Sequence, residues 1–132
     1  MVALEIWKLS RLFCSDIYKS TNRGDSWSNL SSGAGTISCI SIAPSNADVI
    51  YAAGQNGFKK TTNGGASWSN INDPQASSTI KGIAINATNP DEVFICYAGY
   101  SASGKVYKST DGGANWNNIT GSLPNVPAHD ID

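Results

Sequence analysis

Apolar and polar positions alternate in short runs along this chain, and the runs come twice in the same order. Ile37-Ser38-Cys39-Ile40-Ser41-Ile42-Ala43 is followed by a turn at Ser45 to Asp48, Val49-Ile50-Tyr51-Ala52-Ala53, a hairpin at Gly54 to Gly57, Phe58-Lys59-Lys60-Thr61, and Ser67-Trp68-Ser69-Asn70-Ile71. The order then returns as Ile80 to Ile85, a turn at Ala87 to Asp91, Glu92 to Tyr97, a turn at Gly99 to Gly104, Lys105 to Ser109, and Asn115 to Ile119. Alternation bounded by Gly, Pro, Asn and Asp predicts strands, and such short connections predict antiparallel neighbours. Each unit's first strand sets small residues (Cys39, Ser41; Gly82, Ala84) between apolar ones. That suits an innermost strand crowded by its neighbours.

Between the third and fourth strands stands an eight-residue box, and it occurs three times. The copies are Ser20-Thr21-Asn22-Arg23-Gly24-Asp25-Ser26-Trp27, Thr61-Thr62-Asn63-Gly64-Gly65-Ala66-Ser67-Trp68 and Ser109-Thr110-Asp111-Gly112-Gly113-Ala114-Asn115-Trp116. Their Trp residues, at 27, 68 and 116, are spaced by 41 and 48. Four short strands at such a period are the blade of a β-propeller. The expected fold is all-β: about three four-stranded antiparallel blades in one propeller segment over residues 1–132. Units are expected at about 16–36, 37–79 and 80–122, with 1–15 a poorly matching strand region and 123–132 opening a further blade.

Composition narrows the function classes. Nine basic and ten acidic residues give a net charge of −1, which leaves no electrostatic footprint for nucleic acid or an anionic membrane. Cys14, Cys39 and Cys96 are too widely spaced for a zinc or redox motif, and the last two sit in apolar runs as small hydrophobes. Glu5, Lys8 and Arg11 interrupt the first residues as a signal-peptide core, which leaves the compartment unknown.

At the boxes the chain resembles the Asp-box family, the bacterial neuraminidase repeats, whose motif reads Ser/Thr-x-Asp-x-Gly-x-Thr/Ser-Trp/Phe. The third copy departs at Asn115, and the first two carry Asn22 and Asn63 at the Asp place. The resemblance covers about residues 16–132. Box spacing, the Tyr-Lys-Ser-Thr flank and the Pro-containing turns look most like xyloglucanase-type glycosidase and sortilin-type propellers. It implies an extracytoplasmic setting and a structural role for Ser20, Asn22, Gly24, Trp27, Thr61, Asn63, Gly65, Trp68, Ser109, Asp111, Gly113 and Trp116. In such a hairpin the Asx side chain caps turn amides, the glycine takes positive φ and the Trp packs back on the blade. Asp111 alone is thin for a calcium site that wants six or more oxygens.

The resemblance does not bring catalysis with it. Sialidase chemistry needs an arginine cluster and the chain has only Arg11 and Arg23, while glycoside hydrolysis needs two facing carboxylates. Asp16, Asp25, Asp48, Asp91 and Glu92 read as turn residues. Arg23-Gly24-Asp25 reads as box positions before it reads as an adhesion tripeptide, and sequons such as Asn86-Ala87-Thr88 are common by chance in so Asn-rich a chain. The expectation is a non-catalytic binding or interaction module for a glycan or a protein, with no cofactor and no catalytic or metal-ligating residues. The alternative is a fragment of a secreted glycoside hydrolase whose catalytic residues lie outside this chain. Ligand candidates are the aromatic residues Trp7, Tyr97 and Tyr100, expected to be exposed, with His129 and Asp130 near the channel mouth. Three blades leave sheet edges and apolar faces open, so a homodimer closing a six-bladed ring is expected.

Overall fold

The computed structural model describes residues 16–100, 104–128, 130 and 131. The expected strands before residue 16, with Trp7 and Cys14, lie outside the described residues, as do Ser101 to Ser103, His129 and Asp132.

Ten strands form three sheets, with no helix among the described residues. β1 (Tyr18–Lys19) pairs with β2 (Ser28–Asn29); β3 (Ile37–Ile42), β4 (Ile50–Gly54), β5 (Gly57–Thr61) and β6 (Ser69–Ile71) form a four-stranded meander; β7 (Thr79–Ile85), β8 (Val93–Ala98), β9 (Val106–Ser109) and β10 (Asn117–Asn118) form another. All pairings are antiparallel. The inner strands β3 and β7 lie against each other, and each carries a register shift at the same place, between Ile37 and Cys39 and between Ile80 and Gly82.

The last strands are shorter than the apolar pattern predicts. Ser67 and Asn115 give their N–H groups to the Asx side chain of their box instead of to a ladder, so pairing begins only after the Trp. The turns before β4 and β8 are closed by bonds such as Val49 N–H to Asn46 and Glu92 N–H to Asn89.

The core fills the space between the two complete sheets. Tyr51, Phe58, Val93, Ile95, Tyr97 and Ile80 are buried in it, with Trp116 of the third box packed against it. Tyr51 and Phe58 come from the second sheet, and Trp116 stacks on Phe58 with centroids 6.0 Å apart. Sheet-to-sheet packing therefore does what a lone meander could not, which is to cover its apolar face.

Candidate functional site

The three boxes fold by one set of bonds. In each, the first hydroxyl accepts from the amide of the Gly four residues on, at 2.7 Å to Ser20, 3.0 Å to Thr61 and 2.9 Å to Ser109. The same hydroxyl donates to the Asx oxygen, which in turn accepts from the amide four residues further along. These hydroxyls are buried, and a turn with every central group paired is rigid. The Gly at the fifth place holds φ of 95°, 94° and 94°, a region a side chain enters only with strain.

The Trp residues differ in their partners. Trp68 donates its Nε1–H to the Leu30 carbonyl at 2.9 Å and Trp116 to that of Asn72 at 2.9 Å, each reaching the preceding sheet. Trp27 turns instead to Gly24 of its own box, at 3.1 Å. Between the second and third sheets the joint adds Tyr51 Oη–H to the Pro90 carbonyl at 2.9 Å and the ion pair Lys60–Asp91 at 2.8 Å. Apolar spacing along a strand could not announce these long-range bonds.

Opposite the boxes, where β3 and β7 begin, a cleft of 690 Å³ opens between the sheets, a size suited to a small ligand. Ile37, Ile80 and Phe58 supply its apolar lining, and the β4–β5 hairpin supplies Gln55 and Asn56. That hairpin is held from behind, because the amides of Gln55 and Asn56 donate to the carbonyls of Thr36 and Ala34 at 3.0 and 2.8 Å. The side chains of Gln55, Asn56, Ser77 and Lys81 are exposed at the rim.

Among the described residues, Asp73 is the one carboxylate lining the cleft, and it is engaged. Its Oδ1 accepts from the Tyr97 hydroxyl and from the Gln75 amide. Gln75 gives its side-chain N–H to the Tyr107 hydroxyl at 3.0 Å, and the Tyr97 and Tyr107 rings meet edge to face at 5.8 Å. Burial, and then the neighbouring Asp73, push the Tyr97 hydroxyl up from its ordinary value. The linker from β6 to β7 is thereby fixed over the sheet. A side chain on Gly104 would collide with Gln75, so this close approach needs that glycine.

This corrects the reading of Tyr97 as an exposed stacking ring: it is 2% exposed, and its hydroxyl pins the linker. A strand of alternating apolar residues exposes one face only if nothing packs there, and here the linker does. Tyr100 is 79% exposed, in the β8–β9 connection. Asp130 is exposed, and its carboxylate accepts from the Ile131 amide at 2.9 Å, while Ile131 lies against Gly82 of the inner strand β7. Cys39 and Cys96 are free thiols; burial pushes Cys39 up to about 12, Cys96 adding to it and Asp130 least, and burial raises Cys96 as well. Trp7 and His129 fall outside the described residues.

Sequence reasoning passed over Asp73, Gln75 and Lys105. Lys105 is buried, its ammonium donating to the carbonyls of Pro124 and Val126. The available signal was the need of two buried tyrosine hydroxyls for partners, which points to a polar linker nearby.

The model of the Sortilin-Vps10 family, described as "Sortilin, neurotensin receptor 3", matches residues 15–128. This chain belongs to the Sortilin-Vps10 family. Its fold is that of GH74 propellers: a Niastella koreensis GH74 enzyme superposes with a TM-score of 0.69 at 21% identity, covering 87% of this chain and 20% of that one. An ancestral GH74 enzyme gives 0.61 at 22%, covering 85% and 17%, and the GH74 xyloglucanase of Xanthomonas campestris 0.63 at 15%, covering 83% and 20%. The Sortilin-Vps10 chain thus spans at most about a fifth of those enzymes' length. No curated protein sequence matches it.

Proposed function

We infer that this Sortilin-Vps10 chain is a non-catalytic β-propeller segment that binds a polar ligand, a glycan or a peptide, in the cleft between its two complete sheets. The observation that carries this reading is the cleft's makeup: an apolar floor at Ile37, Ile80 and Phe58 and a rim of exposed amides, hydroxyls and an ammonium. Such a rim hydrogen-bonds sugar hydroxyls or a peptide backbone, and the Asp73 carboxylate beside it is bound to Tyr97 and Gln75. The family description names a receptor, which agrees with binding.

The alternative is a segment of a glycoside hydrolase whose catalytic acids lie outside this chain. The likeness to GH74 enzymes over about a fifth of their length favours it.

Titration of the chain with a xyloglucan oligosaccharide and, separately, with the neurotensin peptide tests both readings by NMR. Saturable shifts at Gln55, Asn56 and Ser77 are expected for one probe, with Asn56→Ala weakening it by about tenfold, the scale of one lost hydrogen bond. Binding of the oligosaccharide alone identifies the ligand as a glycan, and binding of the peptide alone sets the hydrolase-segment reading aside. Saturation by neither probe, or shifts confined to the box end, overturns the cleft.

A further inference from the structure

The two inner strands carry the same irregularity where they border the cleft. Gly54 and Ala53 of β4 face Ile37 and Cys39 of β3, with Ser38 as the extra residue between them; Tyr97 and Cys96 of β8 face Ile80 and Gly82 of β7, with Lys81 as the extra residue. A bulge of this kind takes one residue out of the ladder and re-aims its side chain. Both extra residues line the cleft. They are used differently there. Ser38 gives its hydroxyl to the Ala53 carbonyl of its own sheet at 3.1 Å, whereas Lys81 is exposed and its ammonium has no hydrogen-bond or ion-pair partner among the described residues.

Outside the cleft the two complete sheets answer their lysines. Lys60 pairs with Asp91, Lys108 pairs with Glu92, and Lys105 gives its ammonium to two carbonyls. Within it Lys59 has only the amide oxygen of Asn70, and Asp73 is turned to Tyr97 and Gln75. The lining therefore sets two ammonium groups against one carboxylate and pairs neither with it. A concave site with a surplus of one sign draws a ligand of the other.

The neutral part of the lining indicates what carries that charge. The main-chain N–H groups of Gln55 and Asn56 are already given to the Thr36 and Ala34 carbonyls, so the hairpin presents side-chain amides, with the exposed hydroxyls of Ser77 and Thr79 across from it on the same lining. Side-chain amides and hydroxyls suit sugar hydroxyls, whereas an extended peptide is held mainly through free main-chain groups.

We propose, resting on the cleft reading above, that the ligand is an acidic oligosaccharide whose sugar rings carry carboxylates, and that Lys81 selects it by binding one of them. Gln55, Asn56 and Ser77 take the sugar hydroxyls, and the Lys59 ammonium adds to the field that draws the anion in.

Titration of the chain, followed by NMR, with a galacturonic acid oligomer, with the same oligomer methyl-esterified and so uncharged, and with a glutamic acid peptide of equal charge tests this. The acid is expected to bind at least about tenfold more tightly than its ester, to shift Lys81, Gln55 and Asn56, and to weaken as salt is raised. Lys81→Met, at an exposed position, is expected to remove most of that preference while leaving ester binding and the circular dichroism spectrum unchanged, and Lys81→Arg, which keeps the charge, to retain it. An ester that binds the cleft as tightly as the acid, or an acid preference that survives Lys81→Met, overturns the proposal and leaves the cleft as a site for neutral ligands. A glutamic acid peptide that matches the sugar overturns the choice of a glycan. Saturation of the cleft by none of the three overturns the proposal, and the cleft reading falls with it only if the neutral xyloglucan oligosaccharide and neurotensin fail there as well.

Discussion

The first and third boxes are made by the same hydrogen bonds and stand in different surroundings. Ser20 and Ser109 each accept the amide of the Gly four residues on, and the two glycines share a φ of 95° and 94°. Around a Cβ placed on Gly24 the nearest atom is the box's own Trp27 ring, at 3.7 Å; around one on Gly113 it is Ile71 of the preceding sheet, at 2.8 Å. The turn is a local construction, whereas its contribution to the fold depends on the neighbour it meets. Conformation and packing can thus be separated by the same change at two sites.

The largest expected effect is on Gly113→Val. Strain at positive φ costs about 1–3 kcal/mol, and overpacking against Ile71 adds about 1–3 kcal/mol, so a loss of roughly 2–6 kcal/mol is expected. Gly24→Val carries only the strain, about 1–3 kcal/mol. Urea denaturation of both variants checks the difference. Equal losses would mean that the neighbouring sheet adds nothing to the third box.

A smaller contrast is expected at the indoles. Trp116→Phe gives up the Nε1–H bond to the Asn72 carbonyl and part of the stack on Phe58, a cost of about 1–2 kcal/mol. Trp27→Phe gives up a bond within its own exposed box, at under about 1 kcal/mol. Thermal unfolding of both reads the contrast, and a Trp27→Phe loss as large as that of Trp116→Phe would remove the distinction between joint and turn.

The strand order was legible because it is local. The run from Ile50 to Thr61 shows its two strands and the Gln55-Asn56 hairpin in composition alone, and the structure pairs Gly54 with Gly57 there. The propeller class followed from the repeat, since equal units must bury equal faces. What lay beyond reach was set by long-range partners. Tyr97 alternates like a surface aromatic but is covered by the Asp73 to Gln75 linker, whose path no periodicity describes. Likewise Lys105 looks like the solvated start of a strand, yet its N–H goes to the Thr120 hydroxyl and its ammonium to two carbonyls. Of the cleft, the sequence showed neither the rim nor the fixed linker.

The last contrast is chemical, because the first box has Asn22 where the third has Asp111. Both accept from the amide four residues on, at 2.9 Å, but only Asp111 titrates. The Asn115 amide, then the Asn115 side chain and the Ser109 hydroxyl hold its carboxyl at about 2, below the ordinary 3.8. With the folded value depressed, the contribution of the charged form is fully present above the unfolded value near 3.8 and is lost as pH falls through about 2. Asp111→Asn turns the third box into the chemistry of the first and removes that dependence. The stability gap between the native chain and this variant is therefore expected to be constant at neutral pH and to shrink in native-chain disfavour between pH 3.8 and about 2, read from melting midpoints. A gap that stays constant through that window would show that the Asp111 carboxylate is held no more tightly than the Asn22 amide, and that the two boxes differ only in what packs on them.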